Sequence, residues 1–262
     1  MKVFTIISAL ALAGAAIAAP GSNKGKKLPT TKIANIEVID TPLVREAVKV
    51  VEEFIPLQPY LYAHLMRSWL FGAAALNNNA TLKAEIDLEA HAIGTLLHDL
   101  GWDMRPNSPW VTKNYRFEVD SGAGALKFIQ EHGRPSEWTE LRQTYIYDAI
   151  ALQAIAGIPD FKSIQTQWII KSVGFEFPGP RSARIRDEDY DSILAAYPND
   201  ELFRGTNETF TWLAATKPNS SYDTFISDFG TAFVPGFNAT GHGIFDIIQG
   251  GLAAEIAAHA PA

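Results

Sequence analysis

Apolar residues recur at the spacing of one helix face along most of the chain from residue 41 to residue 198. Thr41 followed by Pro42 is typical of a helix start, because Thr caps free N–H groups and Pro fits the first turn. The pattern predicts helices over residues 42–54, 60–76, 81–100, 121–132, 136–156, 160–173 and 187–198. No run of alternating apolar and polar residues predicts a strand, so we expect an all-α fold with residues 102–115 irregular.

The residue composition changes after residue 198, where aromatic residues and polar turn sequences become frequent. A final segment, residues 244–259, is rich in Ala and Ile and predicts an amphipathic helix that is either broken or less stable at Gly250 and Gly251. We expect residues 199–262 to form an extension packed on a main domain of residues 41–198. The last helix is predicted to cover the core of that domain rather than to contact a membrane.

The beginning of the chain has the pattern of a targeting segment. Lys2 precedes an apolar run that ends in small residues, which predicts a secretory signal peptide over residues 1–18. A membrane-spanning helix is disfavoured because the run is short and contains Ser8 and Gly14, so no stable membrane insertion is expected. Residues 19–40 are predicted to be the flexible N-terminus of the mature chain.

Four N-glycosylation sequons agree with export through a eukaryotic secretory pathway. They begin at Asn79, Asn207, Asn219 and Asn238. Each sequon alone is also consistent with an ordinary polar surface loop. The sequence leaves open whether the destination is extracellular or vacuolar.

The composition excludes several classes of function. The 262 residues are 47% hydrophobic and 19% charged, the balance of a soluble globular protein. The net charge of −7 disfavours nucleic acid as a partner, since such partners require a basic surface. The chain contains no Cys, so disulfides and thiolate chemistry are excluded and any metal ion must be bound by nitrogen and oxygen.

His98 and Asp99 form the strongest candidate for chemistry, near the end of the predicted helix 81–100. Adjacent helical residues point about 100° apart, but a long imidazole and a short carboxylate can still reach one ion. The alternative is a pair that simply faces water. His64 lies on the preceding helix, which a short link predicts to be antiparallel, and Glu176 lies at a later helix end. Two imidazoles and two carboxylates favour zinc, iron or manganese over calcium.

Four strings of the chain occur in an order that carries a family resemblance. They are HLMRSW from His64, LHDLG from Leu97, RFEVD from Arg116 and DAIAL from Asp148. With His64, His98-Asp99 and a later acidic residue, they resemble the HD-domain metal-dependent hydrolase superfamily, and within it the fungal cyanamide-hydratase-like branch. The likeness covers about residues 41–198.

The resemblance implies an HD-like helical bundle that binds one divalent metal ion. The ligands that it implies are His64, His98, Asp99 and Glu176. It further implies hydration of a small nitrile-like substrate, or hydrolysis of another small molecule, by metal-activated water. Glu118 and Gln153 would then line the pocket as candidate catalytic groups.

Two positions depart from the family pattern. The family commonly has Asp where this chain has Glu176, and it usually has His where this chain has Gln153. Gln cannot transfer a proton near neutral pH, although it can orient water or a substrate. Two alternatives therefore stay open: a phosphohydrolase, with Lys113 and Arg116 as its positive charges, and a non-catalytic secreted protein on the same scaffold. The sequence does not indicate the oligomeric state.

The other histidines are expected to lie outside the site. His91 shares a helix side with His98 but is two turns away, about 10 Å, so a packing or surface role is expected. His132 ends a helix, where a cation favours the helix dipole. His242 and His259 lie beyond the resembling region and are expected at the surface.

Overall fold

A computed structural model describes residues 28–177 and 181–259 of the chain. These residues form eleven α-helices and a single two-stranded sheet, which confirms the predicted all-α class. Every helix among them is too short or too polar to cross a lipid bilayer. The predicted signal peptide, residues 1–18, lies outside the described residues.

The elements follow one another in a simple order. An antiparallel hairpin of β1 (Thr30–Ile33) and β2 (Ile36–Ile39) comes first. The helices are α1 (Pro42–Glu52), α2 (Pro59–Asn77), α3 (Ala80–Glu85), α4 (Leu88–Leu96), α5 (Phe117–His132), α6 (Glu140–Leu152), α7 (Ile164–Gly174), α8 (Asp187–Ala196), α9 (Leu202–Thr216), α10 (Ile226–Phe233) and α11 (Ile244–Ala258). Short 3-10 turns lie at Leu100–Trp102, Ile158–Phe161 and Pro218–Ser220.

Helices α2 and α4 form the centre of the bundle. Helix α4 packs against α2, α6 and α7, while α8 and α9 pack against other sides of α2. Helix α2 is apolar on nearly all sides, and almost every residue from Leu61 to Leu76 is buried. A helix of this kind is stable only when it is surrounded by other elements. The polar side chains of His64, Arg67 and Ser68 on α2 are therefore held in a low-dielectric interior.

The predicted helix 81–100 is divided into α3 and α4. Its break lies at Asp87, whose side chain accepts from Ala90 N at 3.0 Å and so caps a new helix. The guanidinium of Arg142 on α6 holds Asp87 in place, with Nε 2.6 Å from Oδ2. Because α4 ends at Leu96, His98 and Asp99 lie in the turn after it and not on a helix.

Part of the predicted flexible segment 19–40 is ordered. Residues 30–39 form the hairpin, in which Ile36 and Val38 are buried and the intervening Glu37 is exposed. This alternation spans only four residues of β2. It is too short to stand out from the surrounding sequence, which is why the hairpin was not predicted.

Most other helices occur where they were predicted, with shifted ends. Helix α5 begins at Phe117, one turn before the predicted start. Helix α6 begins after Thr139, whose hydroxyl accepts from Arg142 N, and not at the predicted Ser136. Ser136 and Thr139 are both residue types that cap helices, and the structure uses Thr139, whereas α5 begins after Arg116 without a side-chain cap.

The C-terminal extension consists of a packed part and an exposed part. Helix α9 packs on α2 and α10, and Lys217 just after α9 forms a buried ion pair with Asp120 of α5, with Nζ 2.5 Å from Oδ2. Helix α11 has no buried residue and continues through Gly250 and Gly251 without a break. The prediction that this last helix covers the core is therefore wrong.

A buried hydrogen bond joins α4 to α7 beside α2. His91 Nε2 lies 2.8 Å from Ser172 Oγ, and the Ser172 hydroxyl donates to the carbonyl of Trp168. A Cβ atom at Gly72 of α2 would lie 2.6 Å from His91 Nε2, so only glycine lets α2 approach this bond. The packing role predicted for His91 is confirmed.

This bond predicts a pH dependence of stability. Burial lowers the pKa of His91 to about 4, although Asp87 opposes the shift. The unfolded chain binds a proton at His91 below about pH 6.5 and the folded chain does not until about pH 4. The free energy of unfolding should therefore fall by about 3 kcal/mol as the pH is lowered from 6.5 to 4.

Urea unfolding in excess chelator at several pH values measures this contribution. His91→Gln should remove it from the slope of stability against pH, whereas His259→Gln, which changes an exposed histidine, should leave the slope as in the wild type. A His91→Gln protein that kept the full slope would show that another group is responsible.

Candidate metal centre

Three buried ligand atoms meet at one point between α2 and the turn after α4. His64 Nε2 lies 3.0 Å from His98 Nε2 and 3.2 Å from Asp99 Oδ2, and His98 Nε2 lies 3.1 Å from the same carboxylate oxygen. All three side chains are at most 3% exposed. We call these residues the triad. Among the described residues, no other group of three or more His, Asp or Glu side chains lies close enough together to bind one ion.

The end of α4 positions His98. The last carbonyl groups of a helix have no intrahelical partner, and the carbonyl of Thr95 accepts from His98 Nδ1 at 2.8 Å. The proton of a neutral His98 ring is therefore on Nδ1, and Nε2 presents its lone pair to the triad. Gly101 lets this turn approach α5 closely, since a Cβ atom there would collide with the backbone carbonyl oxygen of Phe117 and lie 2.9 Å from Ser121 Oγ.

A carboxylate on the opposite side of the ring positions His64. Its Nδ1 lies 2.9 Å from Glu176 Oε2, just after α7. Arg67, one turn along α2 from His64, donates from Nε to Glu176 Oε1 at 3.0 Å and also from Nη2. A carboxylate that accepts from one ring nitrogen leaves the other nitrogen free to bind a metal ion.

Gln153 at the end of α6 positions Asp99. Its Nε2 donates to Asp99 Oδ1 and to the carbonyl of His98, both at 3.1 Å. The second carboxylate oxygen, Oδ2, is the one that faces the two imidazoles. Each member of the triad is thus oriented by a hydrogen bond from a different part of the fold.

The buried charges strongly shift the protonation of the triad. Burial lowers the pKa of His64, but the carboxylates of Glu176 and Asp99 outweigh it and raise that pKa to about 9. Burial likewise raises the pKa of Asp99, yet His98 and His64 lower it to about 2. The pKa of Glu176 is lowered too, because His64 and Arg67 outweigh its burial. A proton and a cation therefore compete for the same nitrogen of His64.

Two aromatic rings enclose the triad. The indole of Trp102 stacks on the His64 ring, with centroids 5.8 Å apart and planes 13° apart. The ring of Phe177 contacts His64 edge-on at 6.0 Å and is itself partly exposed. The buried Nε1 of Trp102 has no hydrogen-bond partner. The His64 side of the triad is therefore covered by aromatic rings, one of which carries an unpaired N–H group.

The donor set fits a divalent transition-metal ion. Metal–nitrogen bonds of about 2.1 Å place neighbouring ligand atoms about 3.0 Å apart at 90° and about 3.4 Å apart at 109°. The three distances in the triad, from 3.0 to 3.2 Å, lie between these values. Two imidazoles and one carboxylate suit zinc or non-haem iron, whereas calcium requires mostly oxygen ligands.

The structure thus brings together three of the four predicted metal ligands, and Glu176 differs from the prediction. Its carboxylate meets Nδ1 of His64, on the far side of the ring from the triad, and is shared with Arg67. It is placed to orient a ligand, not to bind the ion. Its longer side chain allows it to reach both partners from the end of α7.

Of the two candidate catalytic groups, only Gln153 contacts the triad. Glu118 at the start of α5 is buried, and its hydrogen bonds are made to Arg116, with Oε1 2.6 Å from Nη2. Arg67 and Trp102 contact the site but are not among the predicted catalytic or metal-binding residues. The position of Arg67 one turn after His64 on an apolar helix was the available signal, because a buried Arg requires an acidic partner.

The chain matches no protein family, and neither a curated protein nor a solved structure is similar to it.

The geometry predicts different roles for the two carboxylates in metal binding. Asp99→Asn should abolish stoichiometric binding of zinc, because it removes a ligand. Glu176→Gln should retain one ion with an affinity lowered about 10- to 100-fold, since it changes only the group that orients His64. Elemental analysis gives the stoichiometry, and competition with a chromophoric chelator gives the affinity.

Glu89→Gln is the matched control, because Glu89 is a buried carboxylate of α4 that bonds to Arg142. It should bind zinc as the wild type does. If Glu176→Gln lost the ion as completely as Asp99→Asn, Glu176 would be a direct ligand of the ion and not the group that orients His64.

Proposed function

We propose that this protein is a metal-dependent hydrolase or hydro-lyase of the HD type that acts on a small neutral molecule. The observation that carries the proposal is the convergence of His64 Nε2, His98 Nε2 and Asp99 Oδ2 within 3.0 to 3.2 Å of one another. Three lone pairs so close together in a dry interior repel one another unless a cation or a proton lies between them. The ordered strings around these residues supply the resemblance to HD proteins.

Each residue of the candidate site would have a distinct role in the reaction. When bound, a divalent cation lowers the pKa of water and polarises an electrophilic carbon. The triad would hold that cation, while Glu176 keeps the ring of His64 in one orientation. Gln153 fixes the carboxylate of Asp99 through its amide N–H. Because Gln153 already donates to Asp99, it would serve as a positioning residue and not as a proton carrier.

The walls of the site favour a small substrate with a hydrogen-bond acceptor. Trp102 and Phe177 leave little room beside the His64 ring. The indole N–H of Trp102 has no partner in the fold, and we propose that it donates to an acceptor on the substrate, such as a nitrile nitrogen or a carbonyl oxygen. Hydration of a nitrile would add water across the C≡N bond and give the corresponding amide.

The charges near the triad favour a neutral substrate over a phosphoester. Arg67 already donates to Glu176 and, through Nη1, to the carbonyls of Tyr197 and Pro198. Arg116 is paired with Glu118, and Lys113 is exposed. Arg67 and Arg116 are already paired and Lys113 faces solvent, so none of the three supplies an unpaired positive charge in the interior to neutralise a buried phosphate, which a phosphohydrolase would require.

We further propose that the protein is exported and glycosylated. The apolar run after Lys2 and the four sequons support this, and the side chains of Asn79, Asn219 and Asn238 are exposed. A glycosidase-sensitive mass shift of protein secreted from a eukaryotic host tests it. An unshifted mass would contradict the glycosylation.

A screen for activity tests the proposed function. Protein loaded with zinc or ferrous iron should hydrate at least one small nitrile to its amide, detected by mass spectrometry. His98→Ala should lower the rate by at least about 1,000-fold, because the cation and its chemistry are lost together. His259→Ala, which alters an exposed histidine just after α11, should retain wild-type activity.

Two other outcomes would identify the alternatives. Turnover of phosphomonoesters without turnover of nitriles would make the protein a phosphohydrolase. Activity that appears only in a double variant, Gln153→His with Glu176→Asp, would indicate a scaffold that has lost its chemistry. Either result would contradict the proposal.

The substrate contact predicted for Trp102 has its own test. Trp102→Phe keeps an aromatic ring against His64 but removes the indole N–H. With a substrate found in the screen, KM should rise about 10-fold while kcat changes little, as expected for one lost hydrogen bond to a bound acceptor. Trp168→Phe, which alters a buried indole on α7, is the control. An unchanged KM in Trp102→Phe would remove this residue from the binding site.

A further inference from the structure

Helix α11 is apolar and has no buried residue. Its side chains include Ile244, Ile248, Leu252 and Ile256, which are exposed by 46% to 63%, and Phe245, which is 73% exposed. The start of the helix is nevertheless fixed: Tyr222 stacks on His242 at 4.0 Å just before it, and Gly243 N donates to Asp246. A helix that is apolar on one face in water requires a partner for that face.

Four large aliphatic side chains of α11 form one continuous row. Ile244, Ile248, Leu252 and Ile256 are spaced four residues apart, and such a row runs along one side of a helix. Phe245 lies beside this row. We call these five residues the α11 ridge. Gly251 lies in the adjacent row between Ile247 and Glu255, where an added Cβ atom would meet nothing within 4 Å, so a short groove opens beside the middle of the ridge.

We propose that the α11 ridge is a dimer interface, in which it packs antiparallel against the same ridge of a second copy of this chain. Rows spaced four residues apart pack into each other's grooves in the commonest class of helix pair. With the twofold axis between Ile248 and Leu252, Ile248 meets the partner's Leu252 and Ile244 meets the partner's Ile256. The surface is therefore complementary to itself, as a twofold interface requires.

The exposed area of the ridge matches what a stable dimer needs. With about 200 Å² for a fully exposed aromatic side chain and somewhat less for an aliphatic one, the exposed fractions correspond to roughly 600 Å² of apolar surface on each copy. A pair of such surfaces buries roughly 1,200 Å², the lower bound for specific protein interfaces. Contacts around the ridge would add to this area.

Charge favours a second copy over a membrane surface as the occupant. Residues 218–262 contain no Lys or Arg and four acidic residues, Asp223, Asp228, Asp246 and Glu255. Helices that lie on membranes carry Lys and Arg to attract anionic lipids, and this segment would be repelled by them. In the antiparallel pair each Glu255 lies opposite the first turn of the partner's helix, where the helix dipole is positive and stabilises a carboxylate.

Sedimentation velocity over protein concentrations from about 1 to 100 μM tests the proposal. The full chain should shift from monomer to dimer within this range. Ile248→Lys should weaken the dimer by at least about 100-fold, because the twofold axis places each substitution in the interface twice. Ala257→Lys is the matched control: it adds the same charge on the opposite face of α11 and should leave dimerisation unchanged.

A second variant keeps the test independent of any effect on folding. Gly251→Leu should strengthen the isolated helix, since Gly is the poorer helix former, and an added Cβ has free space in the monomer. The same side chain fills the groove beside the ridge and should weaken the dimer. A monomer that unfolds at an unchanged or higher temperature, together with weaker dimerisation, is the expected result.

The absence of Cys from the chain allows the orientation to be measured by crosslinking. Ile244→Cys and Ile256→Cys proteins should form little disulfide alone and a heterodimeric disulfide when mixed under mild oxidation. A parallel pair would instead crosslink Ile244→Cys with itself, which would contradict the antiparallel arrangement.

Three results would overturn the proposal. The wild type could remain monomeric throughout the concentration range. Ala257→Lys could weaken association as much as Ile248→Lys does. The wild type could also float with phosphatidylcholine vesicles as a monomer, with Ile248→Lys abolishing flotation, which would make the ridge a membrane contact.

Discussion

The candidate site depends on how the imidazole of His64 is held at both of its nitrogens. Glu176 accepts from Nδ1 at 2.9 Å, and Nε2 faces His98 and Asp99. This bond sets the tautomer of the ring and so decides which nitrogen can bind a cation. Without Glu176, a buried ring could turn or exchange tautomers, and the triad would lose one of its three lone pairs.

The bundle makes this arrangement possible by bringing distant parts of the chain together in a dry interior. His64 is supplied by α2, His98 and Asp99 by the turn after α4, and Glu176 by the end of α7. The two helices α2 and α4 approach closely where Gly72 lies beside His91. Burial of so many polar groups is unfavourable unless each is paired. Arg67 and Gln153 satisfy the carboxylates that would otherwise remain uncompensated.

The sequence predicted the helical class and the triad, because apolar periodicity and side-chain chemistry are local signals. It also selected Glu176, whose carboxylate lies at Nδ1 of His64 and outside the triad, a placement that depends on how α7 packs on α2. Asp87 is a residue type that caps helices, but the apolar pattern continues across it, so the pattern predicted one helix where the structure has two. The exposure of α11 could not be predicted, because a helix that faces its own core and one that faces another chain have the same pattern.

Anomalous X-ray scattering from crystals of the zinc-loaded protein tests the central claim most directly. The account predicts one strong zinc peak within about 2.0 to 2.2 Å of His64 Nε2, His98 Nε2 and Asp99 Oδ2, the ordinary range for zinc ligands, with Glu176 bonded to Nδ1 of His64. A peak coordinated by Glu176, or a triad closed by a proton while zinc lies elsewhere, would contradict it.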